Sequence, residues 1–573
     1  MPLKVKIFLW FFKRGVILTK DNLAKINWKG RRICEFCSKQ ETIQHLFFKC
    51  HYAKFLWRAV HCIFGLTPPK NLHQGDPLSP YLFLFVAEAL SVLLHNKVVQ
   101  GDIEELRVTR NAPGVSHLLF ADDSLLFVKA DLGQVTRVQE LLGRFQKGTG
   151  QLISVPKCSV LMREETDQNL TEVIRTKLGL ERIDFEAKYL GLPTPEGRMK
   201  SQRFQPLRER LGKRISSWSE KFLSAAGKEV LIKAVAQAIP TYTMSVFQLS
   251  ASFCEELTKY IRNYWWGDEK DGRKAHWIAW DKFTRSKGRG GLGFRDLQIF
   301  NQALLARQAW RLVEFLQSLC ARILKARYFP NGDLLDTAFP AQVSPTWRAI
   351  MHGLELLKKG AIWRIGCGNL VKIWRYNWIP RGRSLRPIGK RRSCRLKWVE
   401  QLIDRDRRRW DESMLERYFF PNDVEEIMKI RLPTSEQEDH VAWHYERSGC
   451  FTVRSAYRLG MELKDIEKGN DTSSSSTGSE RPIWKMFWKL PVPQKVKVFA
   501  WRAVLDGFGT QQKKERRNIV MSDACEICGN GTESVHHALI RCEHAKHLRG
   551  AMRKAWRLPT EGLLVESGPE WIL

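Results

Sequence analysis

A nine-residue segment near the start of the chain returns near its end, and that repeat restricts the fold more than any other feature. Pro2-Leu-Lys-Val-Lys-Ile-Phe-Leu-Trp10 reappears as Pro493-Gln-Lys-Val-Lys-Val-Phe-Ala-Trp501. Trp10 precedes Cys34 by 24 positions, and Trp501 precedes Cys525 by the same 24. Each copy then reads Cys-x-x-Cys, as Cys34/Cys37 and Cys525/Cys528. Glu41-Thr-Ile-Gln-His45 matches Glu533-Ser-Val-His-His537, and each His is followed by four residues and a last Cys, Cys50 or Cys542.

Zinc chemistry accounts for this spacing. The ion takes four thiolate or imidazole ligands in a tetrahedron, and a Cys-x-x-Cys turn offers two thiolates from one knuckle. The His and Cys that follow can close a Cys₃His set from one helical turn. Four buried, uncoordinated residues would be the alternative for a single copy, since free Cys often serves as a small hydrophobe. Duplication in the same register favours two zinc sites, Cys34/Cys37/His45/Cys50 and Cys525/Cys528/His537/Cys542. His536 competes for the second site, but His537 keeps the four-residue gap. The apolar residues before each knuckle, with Lys4, Lys6, Lys495 and Lys497 between them, predict an amphipathic helix packed onto the knuckle. Its Lys face is either solvated or set against phosphate.

Charge bounds the partners. The chain has 94 basic and 61 acidic residues, a net charge of +33 in 573 residues, and a pI near 9.8. A polyanion fits such a surface, because each neutralised phosphate releases condensed counterions. Aromatics make up 11% of the chain, which excludes a disordered polycation. No membrane role is expected. Ile7–Phe12 is a short apolar run without a small-residue cleavage site, and its counterpart recurs deep in the chain. The run Tyr81–Leu94 is interrupted by Glu88 and too short to span a bilayer. Thirteen Cys, six of them in the two clusters, suit a reducing compartment.

Between the repeats lies a second pattern. His73-Gln-Gly-Asp-Pro-Leu-Ser-Pro80 opens a long apolar helix, with Ser79 as N-cap and Pro80 as first helical residue. Gly75 leaves room for close approach. Val115–Phe120 and Ser124–Val128 flank Ala121-Asp122-Asp123, which predicts a β-hairpin with carboxylates at its tip. Clustered carboxylates can hold the Mg²⁺ pair of a phosphoryl-transfer site, though Asp also favours turns in general.

Gln74-Gly-Asp-Pro-Leu-Ser-Pro80 together with Phe120-Ala-Asp-Asp123 resembles the template-grip and catalytic motifs of LINE-like, non-LTR retrotransposon reverse transcriptases of plant type. The resemblance continues through Lys157 and through Tyr189-Leu-Gly-Leu-Pro193, which resembles the primer-grip turn. It extends along Leu223–Lys233, Ala238–Pro240, Tyr264–Gly267, Gly290-Gly-Leu-Gly-Phe294, Trp374–Pro380 and Phe451-Thr-Val-Arg-Ser-Ala-Tyr457. Both ends resemble the family's zinc-binding domain. The resemblance implies that Asp122 and Asp123 are catalytic Mg²⁺ ligands. It also implies that Gln74, Gly75, Pro77, Lys157 and Gly191 contact nucleic acid or nucleotide, with dNTPs the one small-molecule substrate class. In the family a first catalytic Asp precedes the Gln-Gly motif; here residues 1–73 hold a single Asp, Asp21. The family's endonuclease and RNase H are likewise expected to be absent.

The expected fold is α+β and predominantly helical: an incomplete reverse-transcriptase palm and a helical connection region, flanked by two small zinc-binding modules. Expected segments are a zinc module (1–66), partial palm (70–198), helical thumb or connection (199–330), Trp-rich connection (331–465), linker (466–482) and second zinc module (483–573). Trp218–Ala238 predicts one helix with Phe222, Val230, Leu231, Ala234 and Val235 on its apolar side. Ser473–Ser476 marks the linker. The expected function is a reverse-transcriptase fragment, inactive as written, that binds RNA and single-stranded DNA. A non-enzymatic zinc-dependent binding protein or a functionless relic is the alternative. The basic runs Lys390–Arg392 with Arg395 and Lys397, and Arg405 with Arg407–Arg409, suggest phosphate contacts or nuclear import, although a solvated face explains them equally.

Overall fold

A computed structural model describes residues 19–25, 30–34, 37, 39–42, 45, 50–51, 79–163, 165–180, 188–194, 199, 201–218, 223–267, 275–340, 342–382, 384–393, 395–404, 406–468 and 482–566. About half of the chain is helical, the strands are few and short, and a Cys/His cluster lies toward each end. Among the described residues no helix is long and apolar enough to cross a membrane. The chain divides into two compact units, Met1–Tyr189 with Arg322–Pro330, and Leu190–Ala321 with Asn331–Leu573.

In the first unit, α1 (Lys20–Lys25) belongs to the N-terminal cluster and α2 (Ser79–Val99) is the long apolar helix. The helix begins at Ser79, one residue earlier than expected, and its cap-forming segment 52–78 lies outside the described residues. β1 (His117–Phe120) and β2 (Asp123–Leu126) pair antiparallel, His117 opposite Leu126 and Phe120 opposite Asp123. α3 (Leu132–Thr149) follows, capped by Asp131 onto the Gln134 N–H at 2.9 Å and ended by Gly150 at φ 70°. Leu90 and Leu94 of α2 pack with Ile103, Val138 and Leu141, and Leu119 and Leu126 of the hairpin join them. The hairpin thus packs on α2. Ser91 Oγ and His117 Nε2 lie 2.8 Å apart across that contact. The hairpin's other face carries Leu118 and Phe120, 42% and 60% exposed.

In the second unit, α4 (Gln205–Ser216), α5 (Ala225–Leu231), α6 (Ala251–Trp266) and α7 (Leu297–Glu314) build a helical core. The single helix expected over Trp218–Ala238 is absent. Ser224 instead caps a new start by accepting from the Gly227 N–H, and α5 runs into a π turn at Ile232–Ala236. A π turn adds a residue per turn and rotates the faces. Ala226 and Glu229 ahead of the π turn and Ile232 and Ala236 within it are buried, whereas Val230 and Ala234, expected inward, are exposed. Phe222 lies outside the described residues.

The Trp-rich stretch contains helices as well as short strands. α8 (Pro345–Gly360) packs on α7 so closely that a Cβ on Gly353 would stand 2.2 Å from the Leu305 carbonyl carbon. β3 (Ala361–Arg364) pairs antiparallel with β4 (His440–Trp443). Trp378, Trp410 and Phe419 lead a separate core. Asp439 clamps its entry loop, accepting from the N–H groups of Gly366, Gly368 and Leu370 at 2.6, 2.9 and 2.9 Å. Asp439→Ala would strand three backbone donors. It should destabilise the chain by at least about 2 kcal/mol in urea unfolding, with Asp439→Asn costing less. An unchanged midpoint for Asp439→Ala would remove this role.

α9 (Val453–Glu467) runs into the expected linker at 466 by two residues. Beyond it come α10 (Pro482–Lys489), α11 (Gln494–Val504), α12 (Gln511–Glu515) and α13 (Glu543–Met552). Segments on both sides of the linker join the helical core: Val453 and Tyr457 before it, Trp484, Phe487, Val498 and Trp501 after it.

Candidate metal centres and carboxylate hairpin

The two clusters are built alike, bond by bond. In each, a strand bridge closes the knuckle, Ile33 with Gln40 and Ala524 with Thr532. The first Cys N–H donates across it, Cys34 to Lys39 O at 2.7 Å and Cys525 to Gly531 O at 3.0 Å. A hydroxyl accepts from the His N–H, Thr42 for His45 at 3.1 Å and Ser534 for His537 at 3.0 Å. The last Cys N–H reaches back five residues to the His carbonyl, Cys50 to His45 at 2.7 Å and Cys542 to His537 at 2.8 Å. That five-residue bond is a π-type turn, which aims the imidazole and the thiol at one point.

Cys34, Cys37, His45 and Cys50 bring one donor atom each within 4.8 Å of one another, and so do Cys525, Cys528, His537 and Cys542. Tetrahedral zinc with Zn–S of ~2.3 Å places its sulfurs ~3.8 Å apart, so the donor sets fit the ion. Nε2 of the His lies 2.9 Å from Cys37 Sγ in one cluster and 3.3 Å from Cys528 Sγ in the other. His536 turns away and lies 3.4 Å from the Leu564 carbonyl. Electrostatics differ from thiol to thiol: at Cys528 the Asn530 N–H lowers the thiol, but burial and the neighbouring Cys525 and Cys542 leave it raised. The Lys39 backbone N–H lowers the Cys37 thiol. Burial raises the Cys542 thiol, but the N–H groups of His544 and Ala545 at the start of α13 outweigh it and leave it lowered.

One shared residue carries a role that the sequence repeat shows only as an identity. Glu41 Oε1 accepts from the Lys20 N–H at 3.0 Å and its carbonyl from Asp21 at 3.3 Å. Glu533 does the same for Gln511 at 3.2 Å and Gln512 at 3.3 Å. Each Glu thus caps the first turn of the helix before the knuckle, and its recurrence was the available signal.

The expected packing of the Lys-bearing helix onto its knuckle is corrected in the second copy. Val498 and Trp501 of α11 face the helical core, where Trp501 Nε1 donates to Gly290 O at 2.9 Å. A 24-residue gap gives no information about which surface receives the helix. The helix expected in the first copy lies outside the described residues.

Asp122 and Asp123 sit exposed at the hairpin tip, with Ala121 between the strands at φ 50°, a left-handed conformation rare for a residue with a Cβ. Among the described residues, no third His, Cys, Asp or Glu gathers with them. Burial first, and then the Asp123 charge, raise the Tyr189 hydroxyl. Gly191 follows Leu190 in a turn where both have positive φ, 76° and 51°. Lys157 is exposed on the 3₁₀ turn Val155–Lys157. Gln74, Gly75 and Pro77 lie outside the described residues.

Paired Cys₃His clusters around a mainly helical chain define a protein with two zinc-binding centres, and comparison with known proteins agrees. Residues 1–57 and 451–548 match the family described as zinc-binding in reverse transcriptase. The chain is similar to the "Putative ribonuclease H protein At1g65750" of Arabidopsis thaliana, 29% identical over 358 residues. That match takes in 61% of this chain and 56% of the relative, so the chain spans little more than half of that protein's length. It is 42% identical over 153 residues to the uncharacterized mitochondrial protein AtMg00310 of the same plant, covering 26% of this chain and 99% of the relative. A further mitochondrial protein, AtMg01250, is 51% identical over 59 residues, 10% of this chain and 48% of its own length. The chain is a retroelement-related protein with a reverse-transcriptase zinc-binding segment toward each end. It belongs to the family of AtMg00310.

Proposed function

We propose that the chain is a reverse-transcriptase fragment of the plant-type, LINE-like class, which binds RNA and single-stranded DNA and does not polymerise DNA. The duplicated, identically wired zinc cluster carries the descent. The net charge of +33 supports polyanion binding. Two-metal phosphoryl transfer requires carboxylates on both sides of the ion pair, ~4 Å apart. Asp122 and Asp123 come from one turn and supply one side. Asp76, beside Gly75, suits bracing of its loop better than metal ligation. Mg²⁺ held by the two Asp alone would be poorly placed for in-line attack. Gln74, Gly75, Pro77, Lys157 and Gly191 retain contacts to the strand under this reading. The basic runs at Lys390–Lys397 and Arg407–Arg409 would serve nuclear import.

Binding and chemistry are tested together on the full chain. Filter binding of labelled RNA should weaken steeply between low and moderate salt and show little sequence preference. Primer extension on an RNA template with Mg²⁺ and dNTPs should give no product, with or without Asp122→Asn. Extension that Asp122→Asn abolishes would establish a working polymerase, and salt-independent or absent RNA binding would overturn the binding reading.

A further inference from the structure

Phe499 on α11 is half exposed, at 50%, although Val498 and Trp501 beside it are fully buried. Burial in the helical core accounts for Trp501. It does not explain why Lys495, Val496 and Phe499, all exposed, recur as Lys4, Val5 and Phe8. The exposed Phe499 ring, a residue repeated at Phe8, points to a contact outside the chain.

Phe499 is the outermost ring of a ladder. Its centroid lies 5.0 Å from that of Phe508. The Arg502 guanidinium sits 4.6 Å from the Phe508 centroid and 5.5 Å from that of Trp266, and Trp266 stacks on His276 at 6.0 Å and 21°. The exposed Arg517 lies 4.8 Å over Trp277 and donates to the His276 carbonyl at 2.9 Å. Gly509 lets the chain pass this surface, because a Cβ there would stand 2.7 Å from the Trp277 ring. Aromatic faces alternating with guanidinium groups match a strand whose bases stack while its phosphates pair with cations.

We propose that Phe499, Phe508, Arg502, Trp277 and Arg517 form the stacking surface for unpaired nucleotides, with Lys495 at its phosphate side. This rests on the nucleic-acid reading above and assigns it a place. The bases stack on the rings, so binding here requires bases and not phosphates alone.

The test uses the full-length zinc-loaded protein and two fluorescein-labelled strands of equal length, about 16 nucleotides: oligouridylate and an abasic sugar-phosphate strand. Wild type should prefer the base-bearing strand. Phe499→Ala should weaken that strand about tenfold and leave the abasic strand unchanged, while Phe499→Trp restores the preference. Arg517→Ala should weaken both. If wild type binds oligouridylate and Phe499→Ala binds it equally well, the ladder is not the site, whatever protein covers it, and the nucleic-acid reading stands. Equal loss on both strands marks Phe499 as structural and overturns the proposal. If wild type binds neither strand, both readings fall.

Discussion

Removing zinc should unfold the C-terminal module while the helical core beneath it survives. A structural zinc centre contributes about 10–16 kcal/mol of apparent binding energy at neutral pH, which in a small module is folding energy. Around Cys525–Cys542 the described residues offer little else: Val535 and Ile540 are buried, but Ile519, Met521, Ile527 and Leu548 are more than half exposed. α11 is different, since Val498 and Trp501 belong to the large core. Chelation should therefore open protease sites after Leu505 and spare residues 494–504, as mapped by limited proteolysis with mass spectrometry. Metal analysis should return about two zinc per chain from the two Cys₃His sets, and Cys525→Ser about one. A metal-free chain with an unchanged cleavage pattern would refute both centres.

Trp501→Ala should cost about 3–5 kcal/mol, as large aromatic-to-Ala changes in cores do. Trp501 is fully buried, packs edge-on to Phe283 at 5.1 Å and satisfies the Gly290 carbonyl. Trp501→Phe keeps most of the ring and loses the hydrogen bond, at about 1–2 kcal/mol. Urea unfolding of the full chain reads both. The order Ala worse than Phe worse than wild type is required, and a Trp501→Ala shift below about 1 kcal/mol would show that the tie to the core is not energetic.

Several sequence motifs turn out to be joints of this kind. Gly290–Phe294 receives Trp501 at Gly290 and the Lys233 Nζ at Leu292 O, 2.5 Å. In Phe451–Tyr457, Thr452 caps α9, Ser455 accepts from Trp443 Nε1 at 2.8 Å, and the Tyr457 hydroxyl accepts from the Asp296 N–H at 2.8 Å. Asn377 within Trp374–Pro380 donates to the carbonyls of Lys358 and Ala361, both at 2.9 Å. These segments were readable as a resemblance and not as contacts.

The sequence by itself determined the two metal centres, down to the choice of His537 over His536. All four ligands of a set lie within 18 positions, so spacing and turn chemistry suffice to bring them together. It also determined the hairpin that carries Asp122 and Asp123, whose paired strands are separated by two residues. Tertiary structure decided what periodicity could not. Packing buried Ala226 and Glu229 of α5 and left Val230 exposed, because the phase of a helix is set by what packs on it. α11 turned its Trp toward a carbonyl 211 positions away rather than toward its own knuckle. A contact at that separation depends on the surface that distant segments assemble, and no local pattern in the chain records it.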